Sequence, residues 1–334
     1  VVPSAAVRLA LLIPTVKTIV EKAGEKGENE NIRRMFVVGL VFGVTVTGSG
    51  ILPAALANVI TVDLIAELTG VRIYYNEWLL YILPVSLSLM PVLWIILMKT
   101  FPPEIKEFPG GVKEYRQKLT QLGPLKIEEK KCLLIIFLTL VLWLTEKYHG
   151  LHTAVPAMIA VILLGMPRVG YMKWEKMLDI EWSTILLVGF TLSLGTILNE
   201  TGTAEYLAGQ LFKILSFEGI VFTPVAAVLI IAAFTQIMHK FLGNVTTVLV
   251  TLIPLVVEIS SRMEVDPVLL GVVTGVSGLY GFLLPVETIA GIIIFGTGLL
   301  HPLEMIKPGI FLTIASITAL TLAAYFWWPV VGLI

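Results

Sequence analysis

The chain has 334 residues, of which 57% are hydrophobic and only 14% are charged, with a net charge of −1 and a mean hydropathy of +0.92. A soluble domain carries about 25% charged residues, so this composition excludes a water-soluble fold and predicts a protein of the lipid bilayer. The net charge argues against a nucleic-acid partner, and the single cysteine, Cys132, excludes an internal disulfide framework.

The chain opens with a short apolar helix predicted over residues 1–16, followed by nine charged side chains within residues 17–34. The charged segment is too polar to cross a bilayer, and we expect it at the membrane surface. The chain begins without methionine, inside what the pattern predicts to be a helix hairpin. We therefore expect an N-terminal portion to precede it.

An interrupted helix is predicted next. Residues 35–60 are apolar but contain Gly48, Gly50 and Pro53, residues that break helices. A broken helix exposes backbone carbonyls, which suit a cation, and half-helix N-termini, which suit an anion. Residues 78–98 then form an uninterrupted span of the length that a bilayer core needs.

A hydrophilic linker, residues 99–131, is expected in the cytoplasm between the two halves of the chain. We interpret residues 1–98 as the C-terminal part of a first inverted repeat and residues 132–334 as a second repeat. The apolar segments of the second half are 132–145, 151–166, 183–198, 219–238, 244–257, 267–300 and 309–331.

One pattern occurs in both halves. Residues 3–14 and 243–254 each run from small and polar residues into an aliphatic helix that ends at a proline, and each is followed by an interruption, at 48–53 and at 281–285. Duplicated, interrupted apolar segments indicate the binding site of a transporter. The predicted fold is therefore an all-α membrane protein with inverted repeats, re-entrant helix hairpins and broken transmembrane helices.

The basic residues predict the orientation. If the spans alternate, one side of the membrane receives 17 of the 23 Lys and Arg residues, and the other side receives four. The positive-inside rule places the basic side in the cytoplasm. Its segments are 17–34, 99–131, 167–182 and 301–308.

Arg8 is the sharpest candidate for substrate contact. An arginine inside an apolar stretch is costly unless it faces protein or a water-filled cavity, and its planar guanidinium suits a carboxylate or sulfate. The alternatives are that Arg8 extends to the membrane surface or pairs with a structural carboxylate.

Polar residues also surround the predicted tip of the second hairpin. His239 and Lys240 either join the site or contact lipid headgroups and backbone carbonyls. Asn244, Thr246 and Thr247 can bind a cation through oxygens or an anion through N–H and O–H, although threonines in membranes commonly bond to their own helix.

Glu287 lies inside the second interruption, and a carboxylate within a membrane segment is a candidate functional group. Two interpretations stay open: Glu287 carries a proton, or it forms a salt bridge to Arg8 or Lys240 that holds the fold. Asn58, beside the first interruption, is a weaker candidate.

These motifs resemble the divalent anion/sodium symporter family of the larger ion-transporter superfamily. The resemblance is carried by residues 186–195 with 200–202, by residues 281–286 with 295–298, and by the tail 302–332. It implies two inverted repeats, an elevator-type movement of a substrate-holding domain, a substrate such as a dicarboxylate, citrate or sulfate, sodium coupling, and a homodimer.

The chain departs from that family's motifs. Of the Ser-Asn-Thr hairpin motif the second repeat keeps Asn244, while Ser4 and Arg8 stand in the corresponding stretch of the first repeat. The Thr-Pro-Pro-Asn motif becomes residues 55–58 and 288–291, and Glu287 replaces a glycine. The resulting candidates are Ser4, Arg8, Asn244, Thr246 and Thr247 for substrate, and Gly48, Asn58, Asn244, Glu287 and Thr288 for the coupling ion or proton.

The predicted function is secondary active transport of small anions, coupled to Na⁺ or H⁺, by a multi-pass protein of a prokaryotic plasma membrane. Its partners are the anion and membrane lipids, and it needs no cofactor besides Na⁺ as coupling ion. An alternative within the superfamily is a cation/proton antiporter or a metalloid transporter. An intramembrane enzyme and a scaffold rank lower, because no catalytic signature is found and helix breaks are costly without a function.

Overall fold

The computed structural model describes residues 5–23, 29–104, 123–177 and 222–334, with single residues at 120 and between 182 and 210. These residues form helices and turns, and none of them forms a strand. The main helices are α1 (Ala5–Ala23), α2 (Glu30–Ser49), α3 (Leu56–Thr69), α4 (Tyr75–Thr100), α5 (Ile127–Leu144), α6 (Ala154–Gly165), α7 (Pro224–Leu242), α8 (Val245–Met263), α9 (Pro267–Leu279), α10 (Ile289–Gly296) and α11 (Pro302–Leu322).

Short elements complete the description. Single α-turns cover Glu146–His149, Trp174–Met177 and Trp328–Val331, 3₁₀ turns cover Leu52–Ala54 and Pro285–Glu287, and a π-helix covers Ala323–Trp327. Within the described part of the chain, five helices are long and apolar enough to cross a membrane: α2, α4, α7, α8, and α11 continued to Val331. The all-α, membrane-embedded class predicted from composition is thereby confirmed.

The chain divides into two compact units, residues 1–73 with 78–106 and 187–334, and residues 74–77 with 107–186. In the second unit the rings of Tyr75 and Trp143 stack with their centroids 5.7 Å apart. Every candidate residue that the structure describes belongs to the first unit, so the site is a property of that unit. The predicted division into repeats stays a prediction.

Some helix boundaries differ from those predicted. Helix α1 continues through Pro14 and Lys17 to Ala23, so it extends beyond the predicted end at residue 16 and includes the start of the charged segment. Straight-chain Lys and Glu side chains favour the helix, and this local preference outweighs the change in polarity. Most of the predicted span 183–198, including most of the motif 186–195, lies outside the described residues.

Helix α4 contains Pro84 and Pro91 and nevertheless runs unbroken. A proline lacks the N–H that would bond to the carbonyl four residues earlier, which for Pro84 is that of Leu80. The indole N–H of Trp327 donates to this carbonyl over 2.7 Å, and Trp328 donates to the carbonyl of Tyr81 over 2.9 Å. Two tryptophans near the C-terminus therefore donate to carbonyls of α4, and one of these is the carbonyl that Pro84 leaves without its helical partner.

Glycines bring α9 into close contact with two neighbouring helices. A Cβ atom on Gly275 would lie 2.2 Å from Thr61 on α3, and one on Gly271 would lie 2.8 Å from Ile65. On the other side, Gly278 faces Leu249 of α8. Small residues in this spacing allow membrane helices to approach closely, so α9 packs tightly between α3 and α8.

The basic segments of the first unit meet at one end of its helices. Arg34 Nε lies 3.0 Å from Glu304 Oε1 at the start of α11, and Arg33 pairs with the same carboxylate. Asn31 Nδ2 donates to the carbonyl of Pro102 over 3.0 Å. Three segments that the basic residues assign to the cytoplasm thus lie side by side.

We expect Gly275→Ala to lower the midpoint of thermal unfolding in detergent, because the added methyl overlaps Thr61 and overpacking costs about 1–3 kcal/mol. The control is Gly43→Ala, whose Cβ has no atom within 4 Å and which gains helix propensity. Its midpoint should stay level or rise. Equal midpoints for the two variants would contradict the close α3–α9 packing.

Candidate functional site

Two interruptions with the same backbone form lie in the first unit: the first break, residues 50–55, and the second break, residues 280–288. In the first, a 3₁₀ turn is flanked by extended residues at Ile51 (φ −123°, ψ 118°) and Ala55 (φ −138°, ψ 135°). In the second, the flanking residues are Leu284 (φ −124°, ψ 144°) and Thr288 (φ −135°, ψ 151°). Each break ends where a new helix, α3 or α10, begins.

Buried side chains of α2, the helix that ends at the first break, contact the second break. The hydroxyls of Ser49, at the end of α2, and Tyr280, at the end of α9, lie 2.8 Å apart, and both residues are fully buried. The rings of Phe42 and Phe282 meet edge to face with centroids 5.2 Å apart. The two irregular backbone segments therefore lie next to each other. The polar groups around the two breaks are called the polar centre below.

Side chains cap the carbonyls that the first break leaves without helical partners. Asn58 Nδ2 donates to the carbonyls of Gly48 over 2.8 Å and Ile51 over 3.0 Å, with those of Ser49 and Leu52 within 3.4 Å. The Trp78 indole N–H donates to the carbonyl of Ser49 over 2.9 Å. Four carbonyl oxygens thus converge on one amide nitrogen in a buried site.

Arg8 reaches the first break from α1. Its Nη2 donates to the carbonyl of Ala54 over 2.9 Å, and its Nη1 lies 3.5 Å from Thr47 Oγ1. Gly48 makes room for it, because a Cβ at that position would lie 2.8 Å from Arg8 Nη2. The guanidinium is half-buried, and its Nε is buried without a partner among the described residues. The Arg8 side chain thus points into the protein, towards the first break.

Charged side chains gather at the second break. Lys240 Nζ, on α7, lies 2.8 Å from Glu287 Oε2, and that oxygen also accepts the Leu283 N–H over 3.1 Å. Glu287 is 1% exposed. His239, also fully buried, places Nε2 3.2 Å from the Glu287 carbonyl. Of the partners considered for Glu287, the structure selects Lys240.

The tip of the α7–α8 hairpin is a two-residue turn. Gly243 ends α7 with a φ of +79°, a conformation that favours glycine, and Asn244 begins α8 by accepting the Thr247 N–H at Oδ1 over 3.0 Å. Asn244 and Thr247 are exposed and Thr246 is half-buried. Their remaining polar groups are available to a ligand.

The structure assigns the other candidates to definite places. Thr288 Oγ1 caps α10 by accepting the Gly291 N–H over 3.1 Å, while Ser4 lies outside the described residues. Sequence reasoning missed Trp78, Ser86 and Tyr280, which bond to the last residues of α2 beside the first break. No local pattern marks these residues, because each resembles an ordinary core position of a membrane helix.

The described part of the chain holds no cluster of three or more His, Cys, Asp or Glu side chains that would suit a metal ion. The oxygen-rich group in that part of the chain is the set of break carbonyls around Asn58, a type of ligand that Na⁺ accepts in broken-helix transporters. The described helices include several that are long and apolar enough to span a membrane, and charged groups lie at two helix breaks. These features define a polytopic membrane protein with a polar centre.

The comparison with known families agrees with this class. The whole chain, residues 1–334, matches the family described as the sodium:sulfate symporter transmembrane region. The chain belongs to this family, and it is a multi-pass protein of the plasma membrane. The resemblance to the divalent anion/sodium symporters is confirmed.

Curated relatives add a narrower comparison. The chain is 27% identical over 337 residues to a membrane protein of Cupriavidus necator, and 27% identical over 342 residues to the sodium-dependent dicarboxylate transporter SdcS of Staphylococcus saprophyticus. It is 25% identical over 344 residues to SdcS of Staphylococcus aureus. These alignments cover 96–99% of the chain and 65% of each relative, so the chain spans about two thirds of their length.

We expect Asn58→Ala to lower the thermal unfolding midpoint measured in detergent. The change removes the side-chain donor to the buried carbonyls of Gly48 and Leu52, and an unsatisfied buried carbonyl costs about 1–3 kcal/mol. Thr274→Val is the matched control, because Thr274 bonds only over 2.7 Å to the carbonyl of Leu270 in its own helix. If both variants lose the same stability, Asn58 does not hold the break.

Proposed function

We propose that this protein is a secondary active transporter of small anions, either di- or tricarboxylates or sulfate, coupled to a cation gradient. The observation that carries the proposal is the Arg8 guanidinium at a buried helix break, with its Nε free of protein partners in the described part of the chain. The family and the dicarboxylate transporters among its relatives support the same conclusion.

The anion site that we propose combines Arg8 with the tip of the second hairpin. Arg8 keeps one nitrogen on the Ala54 carbonyl, which fixes its orientation and leaves other N–H groups for a carboxylate or sulfate. Asn244, Thr246 and Thr247 offer an amide and two hydroxyls at the start of α8, where the helix dipole favours an anion. Ser4 stays a candidate from the sequence alone, because it lies outside the described residues.

The cation site that we propose is the first break. The carbonyls that surround Asn58 Nδ2 belong to residues 48, 49, 51 and 52. A half-turn of the amide would present Asn58 Oδ1 to these oxygens, an arrangement that is favourable when a cation lies among them. Sodium is the ion that the names of the related transporters suggest.

Proton coupling through Glu287 is the competing hypothesis. Its carboxylate already pairs with Lys240, so a proton taken up at Glu287 would break a buried ion pair and leave Lys240 without its counter-ion. We therefore favour Na⁺ over H⁺ as the coupling ion. Inverted repeats and elevator-type movement remain part of the proposal, supported by the matching backbone of the two breaks.

The test is uptake into proteoliposomes by the protein, with any residues that precede Val1. Labelled succinate, citrate and sulfate are offered under an inward Na⁺ gradient, then under an inward H⁺ gradient without Na⁺. We expect Na⁺-driven uptake of at least one anion. Uptake driven only by H⁺ would transfer the coupling to Glu287, and the absence of uptake of all three would contradict the proposal.

We expect Arg8→Lys to reduce uptake of the transported anion roughly tenfold or more, because an ammonium cannot hold the Ala54 carbonyl and an anion with the planar geometry of a guanidinium. The measurement is the initial rate of labelled uptake at a fixed Na⁺ gradient. Lys17→Arg is the control, since Lys17 is exposed on the same helix. Unchanged uptake by folded Arg8→Lys protein would remove Arg8 from the substrate site.

A further inference from the structure

The two breaks share a backbone form but differ in charge. The last residue of the 3₁₀ turn is Ala54 in the first break and Glu287 in the second. The Ala54 carbonyl accepts a hydrogen bond from Arg8 Nη2 over 2.9 Å, and the Glu287 carbonyl lies 3.2 Å from His239 Nε2. Only the second of these two breaks contains a buried carboxylate, that of Glu287, and it pairs with the ammonium of Lys240.

The ammonium of Lys240 is the positive charge that the structure places against the second break. It lies 2.8 Å from Glu287 Oε2, and Glu287 is fixed further by the Leu283 N–H. Carbonyls and half-helix ends at such breaks are the usual ligands of a coupling ion. A second cation on the same carboxylate would meet the charge of Lys240 in a medium of low dielectric, where like charges repel strongly.

The ion pair is also incompletely satisfied. Within the described residues, Glu287 Oε1 and His239 Nδ1 are buried without a hydrogen-bond partner. A Cβ on Gly281 would lie 2.5 Å from Glu287 Cβ and 3.0 Å from His239 Cε1, so the two side chains border the same small space. A pair evolved only to stabilise the fold would leave fewer acceptors free, whereas free acceptors beside a carboxylate suit a cation once Lys240 is removed.

We infer that Lys240 is a resident cation that replaces a transported ion at the second break, so that mobile cations couple only at the first break. The inference rests on the proposed function. Lys240 lies three residues before Gly243 on α7, so its bond to Glu287 joins the hairpin to the break without any ion from solution. The protein would carry one coupling cation fewer than a relative in which both breaks bind one.

The experiment compares four proteins: wild type, Lys240→Met, the double variant Lys240→Met/Glu287→Gln, and Lys307→Met as a control for loss of an exposed lysine. Thermal unfolding in detergent is measured against NaCl concentration, with choline chloride holding the ionic strength constant. The second readout is the initial rate of labelled succinate uptake against Na⁺ concentration.

We expect Lys240→Met to acquire a Na⁺-specific rise in its unfolding midpoint beyond that of wild type, because Glu287 and its free oxygen then form an ion site. Its succinate uptake should depend on Na⁺ concentration more steeply than that of wild type, because a second Na⁺ then binds at the second break. The double variant and Lys307→Met should both respond to Na⁺ as wild type does.

Two outcomes would overturn the inference. One is a Lys240→Met protein whose Na⁺ response equals that of wild type, which would make the pair a structural salt bridge. The other is a double variant that responds to Na⁺ less than wild type, which would mean that Glu287 already binds Na⁺; this comparison holds even if Lys240→Met does not fold. Because the unfolding readout needs no transport, absence of succinate uptake in all four proteins would contradict the proposed function separately.

Discussion

Backbone carbonyls at membrane depth must find donors, and the arrangement of this protein around its two breaks depends on that constraint. Where α2 ends at Ser49, the carbonyls lose their helical partners within a buried core. Asn58 and Trp78 supply the missing N–H groups, and Arg8 caps the turn that follows. These donors come from three different helices, so the break exists only when α1, α3 and α4 are packed around it.

At the second break, charged side chains as well as neutral ones contact the irregular backbone. His239 faces a carbonyl, while Lys240 pairs with the buried Glu287, whose other carboxylate oxygen has no partner among the described residues. Such a pair is weak evidence for stability, because desolvation offsets much of the attraction between the charges. The ion-coupling role that we propose would explain why this pair is present at the second break and not at the first.

Close helix packing provides the rigid frame for this centre. Gly271, Gly275 and Gly278 bring α9 against α3 and α8, and the hydroxyl contact between Ser49 and Tyr280 links the breaks directly. The departures from the family motifs that the sequence shows fall at the breaks and hairpins.

Much of the fold was predictable from the sequence. The all-α class, both breaks and the α7–α8 hairpin were identified from hydropathy, from the positions of Gly and Pro, and from the distribution of Lys and Arg. These are local properties of the sequence, and they determine directly how each segment lies in a bilayer. The candidates Arg8, Asn58 and Glu287 followed from the cost of polar groups in lipid. Only the tertiary structure decided that Glu287 pairs with Lys240 rather than Arg8, and that Trp78 and Tyr280 complete the breaks. Such pairings depend on which face each helix presents to its neighbours, and that is set by packing across distant parts of the chain.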